Sequence, residues 1–370
     1  MSVIQPPRRL LYGPGPTMVE PRVYEAMSQP VVGHLDPFFF SVVDDIRAGL
    51  RLAFGTSNPF TYAMSGTGSS GMETAVANFV EPGQKLLVFV NGFFADRIGE
   101  MGRRHRAEVT RIEKPWGEPF TDDEAREAIR RERPNVVAFV QAETSTGVYT
   151  AGRAICEAAH EVDALAIADT VTSLGAMPVE VDANGIDIAY SCTQKGLSAP
   201  PGLSPITVSP RAVERLKART SPPDVWYLDL RLLEEYYDGA HKYHHTAPVS
   251  LFYALREALA IVSEEGLTQR HDRHRKAHLE LLQGLQALGL TMHVADGHRL
   301  WNLNTPRVPD GVSDVAVRKH LMDRYGMEVL GGFGPLAGKI FRIGLMGPLA
   351  NTEGTRALLD ALGEAIGQAK

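Results

Sequence analysis

Between residues 60 and 210 the chain alternates short apolar runs with helix-like segments, and this alternation constrains the fold more than any other feature. The runs at 86–90 and 136–140 contain only apolar residues, which is typical of strands covered on both faces. Residues 121–124 form a capping box that begins a helix between these two strands. The pattern therefore predicts an α/β fold with a mostly parallel sheet flanked by helices.

The 370 residues are too many for one small core, and the C-terminal part has the pattern of a second unit. A long helical stretch from 249 to 288, interrupted near Gly266, leads into it. Its predicted elements are strands at 291–294, 300–304 and 340–346, a helix from Ser313 to Tyr325, and a closing helix capped by Asn351. We expect an extended N-terminal segment (1–16), a large domain (17–265) and a smaller C-terminal α+β domain (266–370).

The net negative charge of the chain does not favour nucleic acids or anionic membranes as partners. The 38 Lys and Arg residues are outnumbered by 44 Asp and Glu residues, whereas nucleic-acid-binding surfaces are rich in positive charge. No apolar run is long enough to span a bilayer, and the N-terminus lacks the apolar core of a secretion signal. Cys156 and Cys192 fit buried thiols in a reducing compartment better than a disulfide framework. We therefore expect a cytoplasmic protein.

An aspartate and a lysine follow two of the predicted strands. Asp169 ends the apolar run at 165–168, and Lys195 comes shortly after an alternating run at 186–192. Ligands of α/β sheets bind at the carboxyl ends of the strands. There, an amine can form a Schiff base with the aldehyde of pyridoxal phosphate (PLP), and a carboxylate can pair with its pyridine nitrogen. Each residue alone is also explained as a loop charge or a turn, so the PLP hypothesis depends on further features.

Other residues at the same predicted edge suit this cofactor. The Gly- and Ser-rich segment 65–71 leads into a helical pattern at 72–80, so its N–H groups suit a phosphate, although a plain helix-entry loop explains it equally well. Phe94 and Thr144 follow two further strands and offer a ring and a hydroxyl; core packing and an ordinary turn remain alternatives. Arg342 interrupts an apolar strand, where a guanidinium needs a carboxylate from a substrate or from within the protein.

Two histidine-containing segments do not indicate a metal site. The loop at 243–246 contains two histidines but lacks Cys and carboxylate partners at zinc spacing. His271, His274 and His278 repeat at helical spacing among arginines, and we interpret them as a solvated helix face. We expect no metal ion.

The ordered set of motifs resembles the class V aminotransferases of PLP fold type I, and among them the alanine–glyoxylate / serine–pyruvate aminotransferase group. The resemblance covers nearly the whole chain and implies a large PLP-binding domain with a smaller C-terminal domain. The matching motifs lie at 13–16, 65–68, 81–83, 143–148, 194–195, 199–202, 243–246 and 341–344. The implied reaction is ping-pong transamination of alanine or serine with glyoxylate or pyruvate, through pyridoxamine phosphate.

The resemblance also implies a role for each matching residue. Lys195 would bind the cofactor covalently and later move the proton, and Asp169 would pair with the pyridinium nitrogen. Arg342 would bind the substrate carboxylate, with the backbone of Gly15 nearby. The other implied cofactor-binding residues are Thr67, Gly68, Ser69, Phe94, Thr144, Val171 and Gln194, joined by Tyr243 and Thr246 from the neighbouring subunit. Contacts from a second chain imply a homodimer with its active sites at the interface.

Two alternatives belong to other functional classes. One is another fold type I activity, a cysteine desulfurase or a lyase; a desulfurase of this class is expected to carry His directly before the lysine, where this chain has Gln194. The other is a catalytically inactive PLP-binding protein, against which the retention of Lys195, Asp169 and Arg342 argues.

The chain differs from the family pattern at two places. Phe94 occupies a position where relatives of the alanine–glyoxylate type often carry Trp, and the segment 69–71 lacks the larger residue found after the second glycine. Both differences concern ring affinity and pocket shape. Arg342 is the one cationic clamp that the sequence identifies, which favours a small neutral amino acid as the donor.

Overall fold

The computed structural model describes residues 4–369, and its central feature is a seven-stranded sheet. The strands, in chain order, are β1 Leu10–Leu11, β2 Thr61–Ser65, β3 Lys85–Val90, β4 Glu108–Glu113, β5 Val136–Val140, β6 Leu165–Asp169, β7 Ile188–Tyr190, β8 Leu203–Val208, β9 Leu303–Asn304, β10 Met327–Glu328, β11 Leu330–Gly331 and β12 Phe341–Gly344. The helices are α1 Pro21–Met27, α2 Pro37–Phe54, α3 Gly68–Phe79, α4 Phe93–Arg104, α5 Asp122–Glu132, α6 Arg153–Glu161, α7 Val181–Asn184, α8 Pro210–Ala218, α9 Leu230–Tyr237, α10 Val249–Glu265, α11 Leu267–Ala287, α12 Asp314–Tyr325 and α13 Thr352–Gln368.

The large sheet has the strand order β2-β8-β7-β6-β5-β3-β4, and β8 alone runs antiparallel to its neighbours. The inner strands β5 and β6 are buried at every residue, because helices cover both faces, and their single polar residue is Asp169 at the carboxyl end of β6. The edge strand β4 is partly exposed and carries charges, which discourages pairing with another chain. The predicted α/β fold with a mostly parallel sheet is confirmed.

One helix, α3, begins earlier than its sequence pattern predicts. The first turn of α3 includes Gly68 and Ser69, which belong to the segment that we expected to be a loop. Phe94 lies in the first turn of α4, which begins at Phe93. The small residues in the first turn of α3 have no apolar periodicity, so the sequence pattern does not indicate that the helix has begun. The N–H groups of a first turn have no partner within the helix. Both helix starts therefore face the carboxyl edge of the sheet.

Residues of the C-terminal part form a second core around an antiparallel sheet with the order β11-β12-β9. Tyr12 packs in this core, and β1 pairs with β10, so the N-terminal segment adds to it. The strand predicted at 291–294 is wrong: Met292 makes only an isolated bridge to Pro306. Proline has no N–H to extend a ladder. None of the helices within residues 4–369 is both long and apolar enough to cross a bilayer.

The interpretation of the three α11 histidines as a solvated face is also wrong. His271, His274 and His278 are all buried, and His274 is fully enclosed. Its Nε2 accepts a hydrogen bond from the N–H of Gly347 at 3.3 Å. Protein covers the face with the histidines, since His278 Nδ1 also forms a hydrogen bond, to Oδ1 of Asn304 at 2.7 Å. Helical spacing shows which residues share a face but not whether another element covers that face.

Candidate active site

The carboxyl ends of several strands and the N-terminal segment enclose a cavity of about 280 Å³. This volume is close to the lower end, roughly 300 Å³, of the range for small-molecule sites. The predicted residues that line it are Gly15, Thr67, Gly68, Ser69, Phe94, Thr144, Asp169, Val171, Gln194, Lys195 and Arg342. Tyr243 and Thr246 do not reach this cavity from within the same chain, and both are exposed.

Lys195 lies at the base of the cavity and is almost completely buried. Its Nζ donates hydrogen bonds to the carbonyl oxygen of Pro14 at 2.6 Å and to Oγ1 of Thr144 at 3.2 Å. The pKa of Lys195 is lowered to about 8, chiefly by burial and to a smaller extent by the charge of Arg342, while the charge of Asp169 opposes this change. Near neutral pH a useful fraction of this amine is therefore unprotonated, which is the nucleophilic form.

Asp169, at the end of β6, is buried beside the lysine. Oδ1 accepts the N–H of Val171 at 2.8 Å, and Oδ2 accepts the hydroxyl of Tyr190, also at 2.8 Å. Burial raises the pKa of Asp169 to about 7, and these two hydrogen bonds oppose the rise. Within residues 4–369 no cationic side chain forms an ion pair with this carboxyl group. A cationic N–H from a ligand would supply the missing positive charge and favour the ionised form of this carboxyl group.

Tyr190 was not identified from the sequence. It is the direct partner of Asp169 across the parallel β6–β7 pair, so the strand register brings its phenol to the carboxylate. Burial and the charge of Asp169 raise the pKa of Tyr190 well above its ordinary value, which keeps the phenol a hydrogen-bond donor. A register between two strands cannot be read from one sequence, and we found no local signal for this contact.

The first turn of α3 forms one end of the cavity. Thr67, at the N-cap, makes no capping bond with its side chain, and the first N–H groups of any helix have no partner within it. The side-chain oxygen of Gln194 is buried and has no hydrogen-bond partner within residues 4–369. An added Cβ on Gly68 would lie only 3.1 Å from Cβ of Cys192, so a larger residue would disturb this close packing. The free N–H groups at this helix start are donors that fit an anion such as a phosphate, whereas the Gln194 oxygen is an acceptor.

Phe94 is held at the cavity by a buried carboxylate that the sequence did not reveal. Oε2 of Glu143 accepts the N–H groups of Phe94 at 3.1 Å and of Ala95 at 3.2 Å. The Glu143 carboxylate therefore caps α4, because the N-cap residue, Gly92, has no side chain to do so. A Cβ added to Gly92 would lie 2.3 Å from Cγ of Glu143. The glycine thus makes room for a cap from another strand end, and the cap orients the Phe94 ring.

Arg97 is a second cationic residue at the cavity that sequence reasoning missed. Its guanidinium carbon lies 5.0 Å from the centroid of the Phe94 ring, and Nη1 donates to Oγ of Ser69 at 3.2 Å. Positions three apart on a helix share a face, so the start of α4 at Phe93 places Arg97 beside Phe94. Met72 and Leu330 add apolar surface to the same cavity.

Arg342 closes the side of the cavity that belongs to the second core. Its Nε donates to the carbonyl oxygen of Gly331 at 2.8 Å, and its guanidinium carbon lies 4.4 Å from the ring centroid of Phe333. No carboxylate forms an ion pair with it within residues 4–369. Burial lowers the pKa of Arg342 to about 10, so it remains a cation at neutral pH. The internal ion pair that the sequence left open is not formed, and the guanidinium can accept a carboxylate ligand.

Together these groups fit pyridoxal phosphate. The cavity combines a partly neutral amine, a buried carboxyl group without a cationic partner, donors for an anion and an aromatic ring. Each group matches one part of the cofactor: the aldehyde, the pyridine nitrogen, the phosphate and the ring face.

Comparison with known proteins gives the same answer. The family model described as Aminotransferase class-V matches residues 10–332. The alanine–glyoxylate aminotransferase of Drosophila melanogaster is 39% identical over 369 residues, which cover 98% of this chain and 94% of that protein. The (S)-ureidoglycine–glyoxylate transaminase of Bacillus subtilis is 36% identical over 378 residues, 97% of this chain and 91% of that one. The crystal structure of an alanine–glyoxylate aminotransferase from Nostoc sp. superposes with a TM-score of 0.97 at 45% identity, covering 99% and 97% of the two chains.

The family match extends over most of the chain, and the similar proteins are matched over nearly their whole length. The chain therefore belongs to the class V aminotransferases, and it is a PLP-dependent transaminase of fold type I.

Proposed function

We propose that this transaminase transfers the amino group of alanine or serine to glyoxylate or pyruvate in a ping-pong cycle. The observation that carries the proposal is a guanidinium without an ion-pair partner, Arg342, on the same cavity as the Lys195 amine. A substrate carboxylate bound by Arg342 brings its Cα toward that amine. The names of the similar proteins, which include two glyoxylate-dependent transaminases, support glyoxylate as the acceptor.

Each residue of the cavity has a proposed task. When bound, PLP supplies an aldehyde that takes up the amino group and a ring that accepts electrons from Cα. Lys195 Nζ would remove the Cα proton of the bound amino acid and deliver it to the carbon of the cofactor's aldehyde group, as its pKa of about 8 allows near neutral pH. Asp169 holds the proton on the pyridine nitrogen. The ring packs against Phe94 and Val171, and Thr144 contacts its hydroxyl region.

The phosphate is held by the first turn of α3, through Thr67, Gly68 and Ser69, and by Gln194. Arg97 contacts Ser69 and stacks on Phe94, which places its charge at the cofactor and not at the substrate side chain. This supports a neutral donor, because Arg342 is then the single cation that binds the substrate. Leu330 offers it an apolar contact.

We further propose a homodimer in which Tyr243 and Thr246 complete the partner's phosphate site. Tyr243 is 58% exposed. Thr246 lines a surface cavity of about 290 Å³ with Val31 and Val32. Leu35 and Phe38, a few residues after Val32 in the sequence, are also exposed, and exposed apolar surface is typical of an interface. Analytical ultracentrifugation tests the dimer.

A cytoplasmic location and the division into segments 1–16, 17–265 and 266–370 also remain proposals. The buried state of Cys156 and Cys192 supports the cytoplasmic location. The separate hydrophobic core of the C-terminal part supports the division into segments. Cell fractionation and limited proteolysis test them.

A desulfurase activity has no support from the two cysteines. Both are buried, and burial raises the pKa of Cys192 to about 12, so it is not a thiolate nucleophile at neutral pH.

The test is a panel of amino acids assayed against glyoxylate, pyruvate and 2-oxoglutarate, with Arg342→Gln beside the wild type. A charge-assisted hydrogen bond contributes about 1.5–3 kcal/mol, so Arg342→Gln should raise the KM for alanine roughly 10- to 150-fold. Arg318→Gln is the control, because Arg318 lies in the same unit but pairs with Asp314. An unchanged KM in Arg342→Gln, or a preference for acidic donors, contradicts the proposal.

A further inference from the structure

Arg270, on α11, is a buried cation that lies outside the active-site cavity. Its Nε donates to the carbonyl oxygen of Gly175 at 2.8 Å, and its Nη2 donates to that of Gly196 at 2.7 Å. Its Nη1 donates to Oε2 of Glu265 at 2.6 Å, which supplies the opposite charge. The side chain therefore has one partner for each of its nitrogens, as burial of a cation requires.

The two carbonyl groups belong to the loops that follow Asp169 and Lys195. Gly196 is the residue directly after Lys195, and Gly175 lies in the segment that continues from β6. The loops are in close backbone contact, because a Cβ on Gly196 would lie 2.3 Å from the carbonyl oxygen of Leu174. Gly175 has a φ of 77°, which favours glycine and turns its carbonyl toward the guanidinium.

A guanidinium suits this place for a geometric reason. Its nitrogens lie in one rigid plane and donate in different directions, so one side chain can join two carbonyl groups and a carboxylate. A lysine has a single nitrogen and does not span the same three acceptors. Two buried carbonyl groups without a donor would be costly, so the loops would separate or admit water if Arg270 were removed.

We propose that Arg270 is a positioning residue that fixes Lys195 relative to Asp169 by clamping the two loops together. The proposal rests on the roles proposed above for these two residues. Arg270 touches neither the cavity nor a substrate, so it acts on the reaction only through the backbone. A displacement of about 1 Å in a reacting group costs on the order of a hundredfold in rate, and the clamp prevents such a displacement.

Arg273 provides a matched control on the same helix. Its Nε pairs with Oε1 of the same Glu265, and its Nη1 donates to the carbonyl oxygens of Gly347 and Ala350. These contacts have the same chemistry as those of Arg270 but go to the C-terminal unit and not to the catalytic loops. Arg273→Gln therefore removes a similar set of bonds and leaves the clamp in place.

The experiment compares Arg270→Gln, Arg270→Lys and Arg273→Gln as purified holoenzymes. We expect Arg270→Gln to lower kcat about ten- to a hundredfold with a KM within about threefold of the wild type. We also expect it to shift the pH midpoint of the visible cofactor band. Arg270→Lys should have a smaller loss, whereas Arg273→Gln should keep kcat within about twofold and the same pH midpoint despite a lower unfolding temperature.

Hydrogen exchange of the apoproteins supplies a readout that needs no bound cofactor. In Arg270→Gln, the amides of 172–177 and 196–199 should exchange at least roughly tenfold faster, while those of β5 are unchanged. Equal losses of kcat in Arg270→Gln and Arg273→Gln, or wild-type kcat and exchange in Arg270→Gln, would overturn the proposal. If Arg270→Gln does not fold, Arg270→Lys is judged by the same criteria. Failure of the proposed function is distinct, since the wild type itself would then lack turnover.

Discussion

Removal of one hydroxyl group, in Tyr190→Phe, tests how the site maintains the charge of Asp169. The phenol donates to Oδ2 of Asp169 at 2.8 Å, and the N–H of Val171 is the other donor to this carboxylate. Phe fills the same volume in β7, so the change removes a donor without leaving a large cavity. The carboxylate would keep one of its two hydrogen bonds.

The magnitude follows from the type of bond. A hydrogen bond to a charged group contributes about 1.5–3 kcal/mol, and one pKa unit corresponds to about 1.36 kcal/mol. The pKa of Asp169, already raised by burial to about 7, should therefore rise by roughly one to two further units in the apoprotein. The carboxylate then holds the proton on the pyridine nitrogen less firmly. If the transition state loses the same energy, kcat falls roughly 10- to 150-fold.

The assay is steady-state transamination of alanine and glyoxylate, with thermal unfolding measured in parallel. Tyr62→Phe is the matched control: Tyr62 is also buried and donates to a carboxylate, Asp238 Oδ2 at 3.3 Å, but Asp238, unlike Asp169, does not line the active-site cavity. We expect a similar small loss of stability in both variants and a loss of kcat in Tyr190→Phe alone. A kcat for Tyr190→Phe within twofold of wild type, with both variants folded, refutes the reasoning.

Three further outcomes follow from the buried groups. The apoprotein should bind PLP covalently at a rate that rises with pH to about 8 and then levels off, because burial lowers the pKa of Lys195 to that value; a stopped-flow rate still rising toward 10.5 contradicts this. Phe94→Leu should weaken PLP binding roughly 3- to 10-fold by loss of an aromatic contact, as measured by fluorescence titration, and unchanged affinity would exclude stacking. Burial lowers the pKa of His274 to about 3, so the unfolded chain takes up more protons below pH 6.5 and stability falls toward acid pH. His274→Gln should reduce this slope by up to about 1.4 kcal/mol per pH unit in urea titrations, and an unchanged slope contradicts the assignment.

The sequence was sufficient where the information is local. Apolar runs predict β3, β5 and β6, because strands covered on both faces admit only apolar residues. Residues that follow such strands reach one edge in a parallel sheet, which is why Asp169 and Lys195 could be placed at a common site. The resemblance to a family added Gly15, Val171 and Gln194, whereas Met72, Arg97 and Leu330 were identified as lining residues only in the structure.

The contacts that orient these residues depend on distant parts of the chain. Glu143 caps a helix that begins 50 residues earlier, and Tyr190 reaches Asp169 through strand register. Arg270 is separated by 95 and 74 residues from the two glycines that it joins. No periodicity or spacing encodes such pairs, so they were found only in the folded structure. The α11 histidines were misread because burial depends on the neighbouring elements of the fold.

The most direct test of the central claim is to identify the residue that carries the cofactor. The holoenzyme is treated with sodium borohydride, which makes the link between an amine and the PLP aldehyde permanent, and its peptides are then mapped by mass spectrometry. We predict that the pyridoxyl group lies on the peptide that contains Lys195 and that Lys195→Ala has neither the label nor turnover. A label on another lysine, or full turnover in Lys195→Ala, would contradict the assignment.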